Sequence, residues 1–436
     1  MKSKKLCALV LAILLNACSP VNQSYTIDGK PKEVVSFSIS SDDIKKITDS
    51  SIVNSNNKFG LKLFSDLVKE EKNKNVFMSP ASVALALQMS YNGADKETKD
   101  EMAKALEINN LSLEDANNLN KLLIKKLNNP APDVQLKVAN SLWGAKGRIV
   151  FKDNFKTTLD KFYNAESKEL DFALPKTLED INKWASNNTN GKITDLIDKI
   201  DENVVSYIIN AVYFKSNWTK KFKESDTKEG DFLLSDGTKK KVKMMSDFRD
   251  YRYYSNYNKY GNNEVKEEDR FEGAEITYGK DSKVSLFLFL PNQKSSLEKF
   301  YNQLNNENLE KWLKGFYFNS GFISFPKFKV KFKNELSDNL QSLGMNTAFN
   351  ETKADFSNMG TSPLGNIYIS RVLHNTFIDV NEEGTEAAAA TAVENSAASS
   401  MPTARFVADR PFFYLIRDNE TKSILFMGAV NNPEYE

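Results

Sequence analysis

Cysteine is nearly missing from this chain: only Cys7 and Cys18 occur in 436 residues, both close to the N-terminus. Once a short leader is removed, such a chain has no disulfide framework, no cysteine nucleophile and no thiolate metal site. Its stability must come from a large buried core. Histidine is scarcer still, since His374 stands alone. Any Ser–His–Asp chemistry would have to pass through that residue. The chain also lacks a G-x-S-x-G elbow, an H-E-x-x-H pair and a P-loop. Neither catalysis nor a cofactor is expected from these absences. Nor is there an excess of either charge: 59 Lys and Arg face 58 Asp and Glu, a net of +1. Bulk charge therefore implies no nucleic-acid partner.

Hydrophobic residues make up 40% and charged residues 27%, the balance of a folded globular protein. Length alone predicts two or three domains. At the N-terminus, Lys2, Lys4 and Lys5 precede an apolar run over residues 6–15. This is the charged region and short apolar core of a secretory signal, too short to span a bilayer as a stable helix. It ends in Leu15-Asn16-Ala17-Cys18 followed by Ser19-Pro20, which resembles a bacterial lipoprotein site with cleavage after Ala17 and lipid on Cys18. Residues 1–17 are then the signal. Residues 18–50, rich in Ser, Lys, Asp and Asn, form the lipidated start and a flexible tether. Residues 51–436 form the folded domain, without a linker-like break or internal repeat. Cleavage removes three lysines and takes the net charge from +1 to −2. The expected location is the cell envelope, anchored by lipid in the outer or cytoplasmic membrane, with exposure at the cell surface left open.

Periodicity places helices early and strands late, an α+β pattern. Phe59, Leu63, Phe64, Leu67 and Val68 have helical spacing. Asn75 to Pro80 read as a short strand ending in a turn, and residues 81–92 as a buried helix stopped by Gly93. Residues 284–290 form an apolar run closed by Pro291, a central strand. Phe328, Val330 and Phe332 alternate with lysines, a half-buried antiparallel strand. Asp236-Gly237 marks a hairpin within residues 232–245.

The most informative stretch is Glu382-Glu383-Gly384-Thr385-Glu386-Ala387-Ala388-Ala389-Ala390-Thr391. Four alanines in a row suit a helix by propensity. Read instead as a strand, the segment sorts itself by parity. Thr385, Ala387, Ala389, Thr391 and Val393 make one small, uncharged face. Glu386, Ala388, Ala390, Ala392 and Glu394 make the other and carry all the charge. The uncharged face is fit to slide between existing strands, where an unpaired charge would cost several kcal/mol. Gly384 suits a hinge.

This hinge, the small-residue loop after it and the strand-like Phe406-Val407-Ala408-Asp409-Arg410-Pro411-Phe412 resemble the serpin family. The resemblance covers residues 58–433. It includes Asn75-Val76-Phe77-Met78-Ser79-Pro80-Ala81-Ser82, then Ile181-Asn182-Lys183-Trp184 with Thr189-Asn190-Gly191-Lys192-Ile193, then Asn210-Ala211-Val212-Tyr213-Phe214-Lys215-Ser216-Asn217-Trp218. It implies one domain of three β-sheets and about nine helices, with an exposed reactive-centre loop. It places Ser79, Ser82, Asn210 and His374 in a shutter beneath the main sheet and Trp218 in the breach where the loop enters. Counting about seventeen residues from Glu382 puts the scissile bond at Ala398-Ser399, within 397–401.

The implied function is suicide inhibition, with the cleaved loop inserting into the main sheet. Small residues at the cut imply elastase-like or subtilisin-like serine proteases, with papain-like cysteine proteases also open. A monomer is expected. Two alternatives stand beside it: a non-inhibitory, surface-anchored binding module, and an enzyme. Lys239, Lys240, Lys241 and Lys243 form a basic cluster, read as a solvated face or as a polyanion site. Residues 247–273 carry Tyr251, Tyr253, Tyr254, Tyr257 and Tyr260, read as a surface elaboration or as a partner surface.

Overall fold

The computed structural model describes residues 24–32, 39–128, 130, 131, 133–201, 204–258, 264–385 and 404–435. The signal, Cys18 and the segment 386–403, with Ala387, Ala388, Ala389, Ala390, Thr391, Ala398 and Ser399, lie outside them.

Local signals explain the first elements. Phe59, Leu63, Phe64 and Leu67 form the buried stripe of α2 (Ile52–Glu70). Pro80 ends the approach from β1 (Val76–Met78) and opens α3 (Pro80–Tyr91), where its missing N–H leaves no bond unmade. Every residue of α3 is buried, so the helix has no polar stripe. Gly237, at φ +84°, turns the hairpin between β6 (Lys228–Leu233) and β7 (Lys239–Ser255).

Part of the stretch expected as tether is folded. Helix α1 (Ser41–Asp49) is capped by Ser40 Oγ, which accepts from Asp43 N at 3.1 Å, and it buries Ile47 completely. Further back, Tyr25 N–H donates to Asn188 Oδ1 at 2.9 Å and Ile27 shares a buried cluster with Ile181 and Trp184. A few apolar residues within a polar stretch are enough to dock it.

The strands, numbered in chain order, form two large arrays. One is a six-stranded sheet in the order β11 (Phe328–Glu335), β13 (Arg371–Val380), β14 (Gly384–Thr385), β5 (Ser206–Asn217), β2 (Val134–Ala145) and β4 (Glu166–Leu170). The other runs β1, β17 (Ile424–Val430), β16 (Phe412–Asp418), β9 (Val284–Pro291), β8 (Phe271–Tyr278), β7, β10 (Tyr317–Pro326) and β15 (Ala404–Val407), with β6 also on β7. In β7, residues 239–253 pair with β6 and β10, and Arg252 to Ser255 pair with β8. That long strand thus joins two sheets, and the three expected sheets are present. β3 (Val150–Phe151) and β12 (Gly360–Thr361) add a small ribbon. The described residues hold ten α-helices, close to the nine expected.

One apolar core runs from Ile47 to Val430, so the separate domains that length alone predicts do not form. Along β5, Ile208, Val212 and Phe214 face this core, while Tyr207, Ile209 and Ala211 face a second cluster. Ile181, Trp184 and Ala185 of α7 (Pro175–Asn188) close that second cluster. Both faces of the main sheet are therefore covered near its middle.

Candidate functional site at the open end of the main sheet

Strands β5 and β13 run parallel and pair directly from Tyr207 and Arg371 to Tyr213 and Phe377. Beyond that point they part, and β14 lies between them, antiparallel to both. Thr385 pairs with Val380 on one side and Ser216 on the other, and Gly384 pairs with Asn217. Only glycine fits this hinge. Gly384 has φ +152°, and a Cβ there would meet Ser216 O at 2.1 Å.

Side chains hold the start of the segment firmly. Thr385 is fully buried, with Oγ1 2.8 Å from Tyr278 Oη. Tyr278 stacks on Trp218 with ring centroids 4.4 Å apart. Trp218 donates from Nε1 to Asn381 O (2.8 Å) and from its backbone N to Glu383 O (2.9 Å). Phe222 N donates to Glu382 O at 2.9 Å. Glu383 pairs with Lys221. The buried Glu382 pairs with Lys327 at 2.8 Å and accepts from Thr227 Oγ1 at 2.8 Å. Burial alone would raise the Glu382 carboxyl, but the bonds from Lys327, its own backbone and Thr227 hold it below the usual range.

Lower in the same strand pair, Ser79, Ser82, Asn210 and His374 converge. His374 and Asn210 are direct partners across β13 and β5. Ser79 N–H donates to His374 Nε2 at 3.1 Å. An acceptor Nε2 leaves the proton of the neutral ring on Nδ1, which faces Asn210 Oδ1 at 2.7 Å. Asn210 Nδ2 then donates to Ser82 Oγ and, at 2.6 Å, to Asn140 Oδ1. Complete burial pushes the imidazole pKa down to about 3, so the ring is neutral at ordinary pH. Its Nδ1 partner is an amide rather than a carboxylate, and Ser79 Oγ donates to Leu425 O at 2.7 Å. That geometry joins α3 to both central strands and is not arranged as a hydrolase triad.

The structure thus brings together the four shutter residues read from the sequence. It sets Trp218 apart, with Glu382, Glu383, Gly384 and Thr385. Sequence reasoning missed Asn140, Tyr278, Thr227 and Lys327. Asn140 and Tyr278 sit inside ordinary strand patterns, and only the fold reveals what they meet. Lys327 was legible only as the first of the lysines that alternate with Phe328, Val330 and Phe332, just before β11.

Two further readings are refined. The tyrosine-rich stretch does not open as a loop. Through Ser255 it belongs to β7, where Tyr251 and Tyr253 are buried, while Tyr254 stacks on Phe316. Tyr260 lies outside the described residues. In the basic cluster, Asp231 lies 2.6 Å from Lys241 and 3.6 Å from Lys239, and Lys240 donates to Asn432. Lys240, Lys241 and Lys243 also line one groove with Lys327, Lys329 and Lys331, so both readings of the cluster stand.

Comparison with known proteins gives the arrangement a family. A profile described as "Serpin (serine protease inhibitor)" matches residues 54–433. The horse protein named leukocyte elastase inhibitor is 34% identical over 389 residues, covering 87% of this chain and 98% of that one. The native-state crystal structure of tengpin, a thermophilic serpin, superposes with a TM-score of 0.78 at 31% identity, covering 94% of this chain and 100% of tengpin. Human thyroxine-binding globulin with its hormone superposes equally well, at 0.78 and 26% identity, covering 89% of this chain and all of that one. With a hinge strand lodged between parallel neighbours and these matches along nearly its whole length, the chain belongs to the serpin family.

Proposed function

We propose that this chain is a suicide-substrate inhibitor of elastase-like or subtilisin-like serine proteases, displayed on a bacterial envelope by a lipid on Cys18. The observation that carries the inhibitory mechanism is the register of β14. Thr385 pairs with Val380 and Ser216, while His374 pairs with Asn210. Continuing β14 in that register sets Ala387 beside Phe214 and Ile378, and Ala389 beside Val212 and Thr376. Thr391 then meets Asn210 and His374, and Val393 meets Ile208 and Val372. All eight neighbours are buried, so this face demands small, uncharged residues.

The opposite face has its own demand. Ala390 and Ala392 would meet Ala211, Asn375, Ile209 and Leu373, which are also buried. Charge is easiest to place in a row with a half-exposed neighbour, which the register gives to Glu386, Ala388 and Glu394. Glu386 would meet Lys215 and Asp379, both half-exposed, and Glu394 would meet the half-exposed Arg371 and the buried Tyr207. The sequence places its glutamates at two of those three rows.

The chemistry follows the family. The protease serine attacks the Ala398 carbonyl carbon, the bond to Ser399 breaks, and the new amine departs with Ser399. The loop then inserts before water cleaves the acyl-enzyme ester. Strain held in the uncut molecule drives that step, as in serpins generally. The elastase-like preference rests on the small residues at 398 and 399 and on the name of the horse relative. Papain-like proteases, which also form acyl-enzymes, belong in the same screen. The reading includes no enzymatic turnover and no cofactor.

The test mixes the full mature chain with elastase-like, subtilisin-like, trypsin-like and papain-like proteases. Denaturing gels read covalent complexes, and mass spectrometry reads the released C-terminal peptide. A covalent band supports the trap, and the peptide identifies the cut bond. Cleavage without such a band, across the panel and at several ratios, favours the second reading. That reading, a non-inhibitory binding module, draws on the structural likeness to thyroxine-binding globulin.

A further inference from the structure

On the inhibitory reading above, we infer that Tyr435 is a positioning residue for loop insertion. Its ring seats Lys327 and Lys329, and through them the hinge turn 379–384, which must stay fixed while the cut loop enters the sheet. The segment after β17 is held at its root. Asn431 N and Asn432 N both donate to Asn75 Oδ1, at 2.8 and 2.9 Å, and Asn75 Nδ2 donates in return to Asn432 O at 2.7 Å. Lys240 of β7 donates to Asn432 Oδ1 at 2.7 Å. From there Pro433, Glu434 and Tyr435 line the groove between β7 and β11. Lys329 N donates to Glu434 O at 2.7 Å, so the segment occupies a backbone N–H on the edge strand of the main sheet.

Lys327 and Lys329 have equal parity and rise on one side of the chain, while Phe328 between them is buried. The half-buried Tyr435 ring lies against both ammonium groups, 4.2 Å from Lys327 Nζ and 4.5 Å from Lys329 Nζ. Each lysine then reaches a carboxylate of the hinge turn: Lys327 Nζ is 2.8 Å from Glu382, and Lys329 Nζ is 3.5 Å from Asp379. The Tyr435 hydroxyl meets the side chains of Asp379 and Asn381. Asn381 closes the turn. Its N donates to Gly384 O at 2.9 Å, its O accepts from Gly384 N at 3.2 Å, and its Oδ1 accepts from Glu383 N at 3.0 Å.

Lysine side chains are flexible, and ordering two of them costs rotamer entropy that weakens an ion pair. A ring packed against both limits that freedom in advance. The contact also joins two parts of the fold. Asn75 and Lys240 belong with β1 and β7, whereas Lys327, Lys329, Asp379 and Asn381 belong with β11, β13 and the hinge. Insertion parts β13 from β5 beyond the hinge, by about 4.8 Å for each added strand. β11 is paired with β13 from Phe328 to Glu335 and moves with it. Tyr435 ties the hinge end of that pair to the body and makes it the pivot.

The experiment uses the full mature chain as wild type, Tyr435→Ala, Tyr435→Phe, Lys327→Ala and the double variant Tyr435→Ala/Lys327→Ala. Hydrogen exchange by mass spectrometry on the uncut protein reads the hinge. The ratio of cleaved to covalently trapped chain is read with the protease of the panel that wild type traps best. One cation against a half-exposed ring is worth a factor of about two to five, so losing both contacts should speed exchange over 379–385 about fivefold and raise the cleaved-to-trapped ratio about threefold or more. Exchange in α3 should stay as in wild type. Tyr435→Phe keeps the ring and should stay within twofold of wild type in both readouts. The two single alanine changes act on one contact, so the double variant should fall short of their product.

Hinge exchange within twofold of wild type in Tyr435→Ala would overturn the inference. So would Tyr435→Phe behaving like Tyr435→Ala, or a double variant equal to the product of the single ones. A faster-exchanging hinge with an unchanged ratio would also overturn it, by reducing the contact to a local brace. If wild type forms no covalent product with any protease, the inhibitor reading fails, and the exchange readouts alone decide whether Tyr435 holds the hinge.

Discussion

Ala389→Glu is the sharpest test of the insertion register. In the proposed inserted state this position would lie between Val212 and Thr376, both fully buried. A glutamate there must be buried as an unpaired carboxylate or protonated first. Neutralising a group with a pKa of about 4.3 at pH 7.4 costs roughly 4 kcal/mol at about 1.4 kcal/mol per unit, and burying the neutral acid adds to that. If only a third of this cost is felt in the step that competes with hydrolysis, the partition still shifts about tenfold towards cleaved substrate. The assay is the stoichiometry of covalent complex formation, with the melting temperature of the loop-cleaved protein as a second readout. Both should show poor insertion, whereas Glu386→Ala, at a half-exposed row, should behave as wild type. The sign of the pH effect is specific. Lower pH favours the protonated acid, so at pH 5.5 the cost falls by about 2.6 kcal/mol and trapping by the variant should partly recover. A variant that traps as well as wild type and gains the same heat stability on cleavage would refute the register.

Other outcomes follow from the same geometry. His374 takes a proton at about 6.5 in the unfolded chain but resists until about 3 when folded. Its contribution is therefore complete above pH 6.5 and is lost as pH falls from 6.5 towards 3, by up to about 1.4 kcal/mol per unit. Denaturant unfolding over that window should show the slope, and His374→Gln should remove that part of it. Lys327→Ala strands the buried Glu382 without its cation and should cost roughly 3 kcal/mol, read by chemical denaturation. A loss under 0.5 kcal/mol would mean the pair does little to hold the hinge. Replacing Cys18 by Ala should move the expressed protein from the detergent phase to the aqueous phase in a phase-partition assay. Unchanged partitioning would argue against the lipid.

Much of this was legible along the chain because the signals are local. Pro80 after Ser79 starts a helix wherever it falls on a strand exit, and Asp236-Gly237 needs only its own turn to make a hairpin. The tether was over-read for the opposite reason. Ile27 and Ile47 look isolated in a polar stretch, and nothing local reveals that the body offers each a place to dock. The tyrosines of β7 misled similarly: their hydroxyls suggest a wet surface, but Tyr251 and Tyr253 turn inward between strands distant in sequence.

The loop itself shows where the two kinds of information divide. From sequence alone come the hinge glycine, the charge-free face of alternate residues and the two glutamates eight residues apart, because a strand's period of two depends only on backbone geometry. What lies against each face was decided by tertiary structure. In the proposed register the core beneath the sheet would take Thr385 and its alternates, while α7 closes the middle of the other face. Half-exposed neighbours remain at Lys215 with Asp379, at Phe377 and at Arg371, where charge would cost least. Alternation can say that two faces differ, but burial is a property of the segments that come to rest on them, and those are contributed from far along the chain.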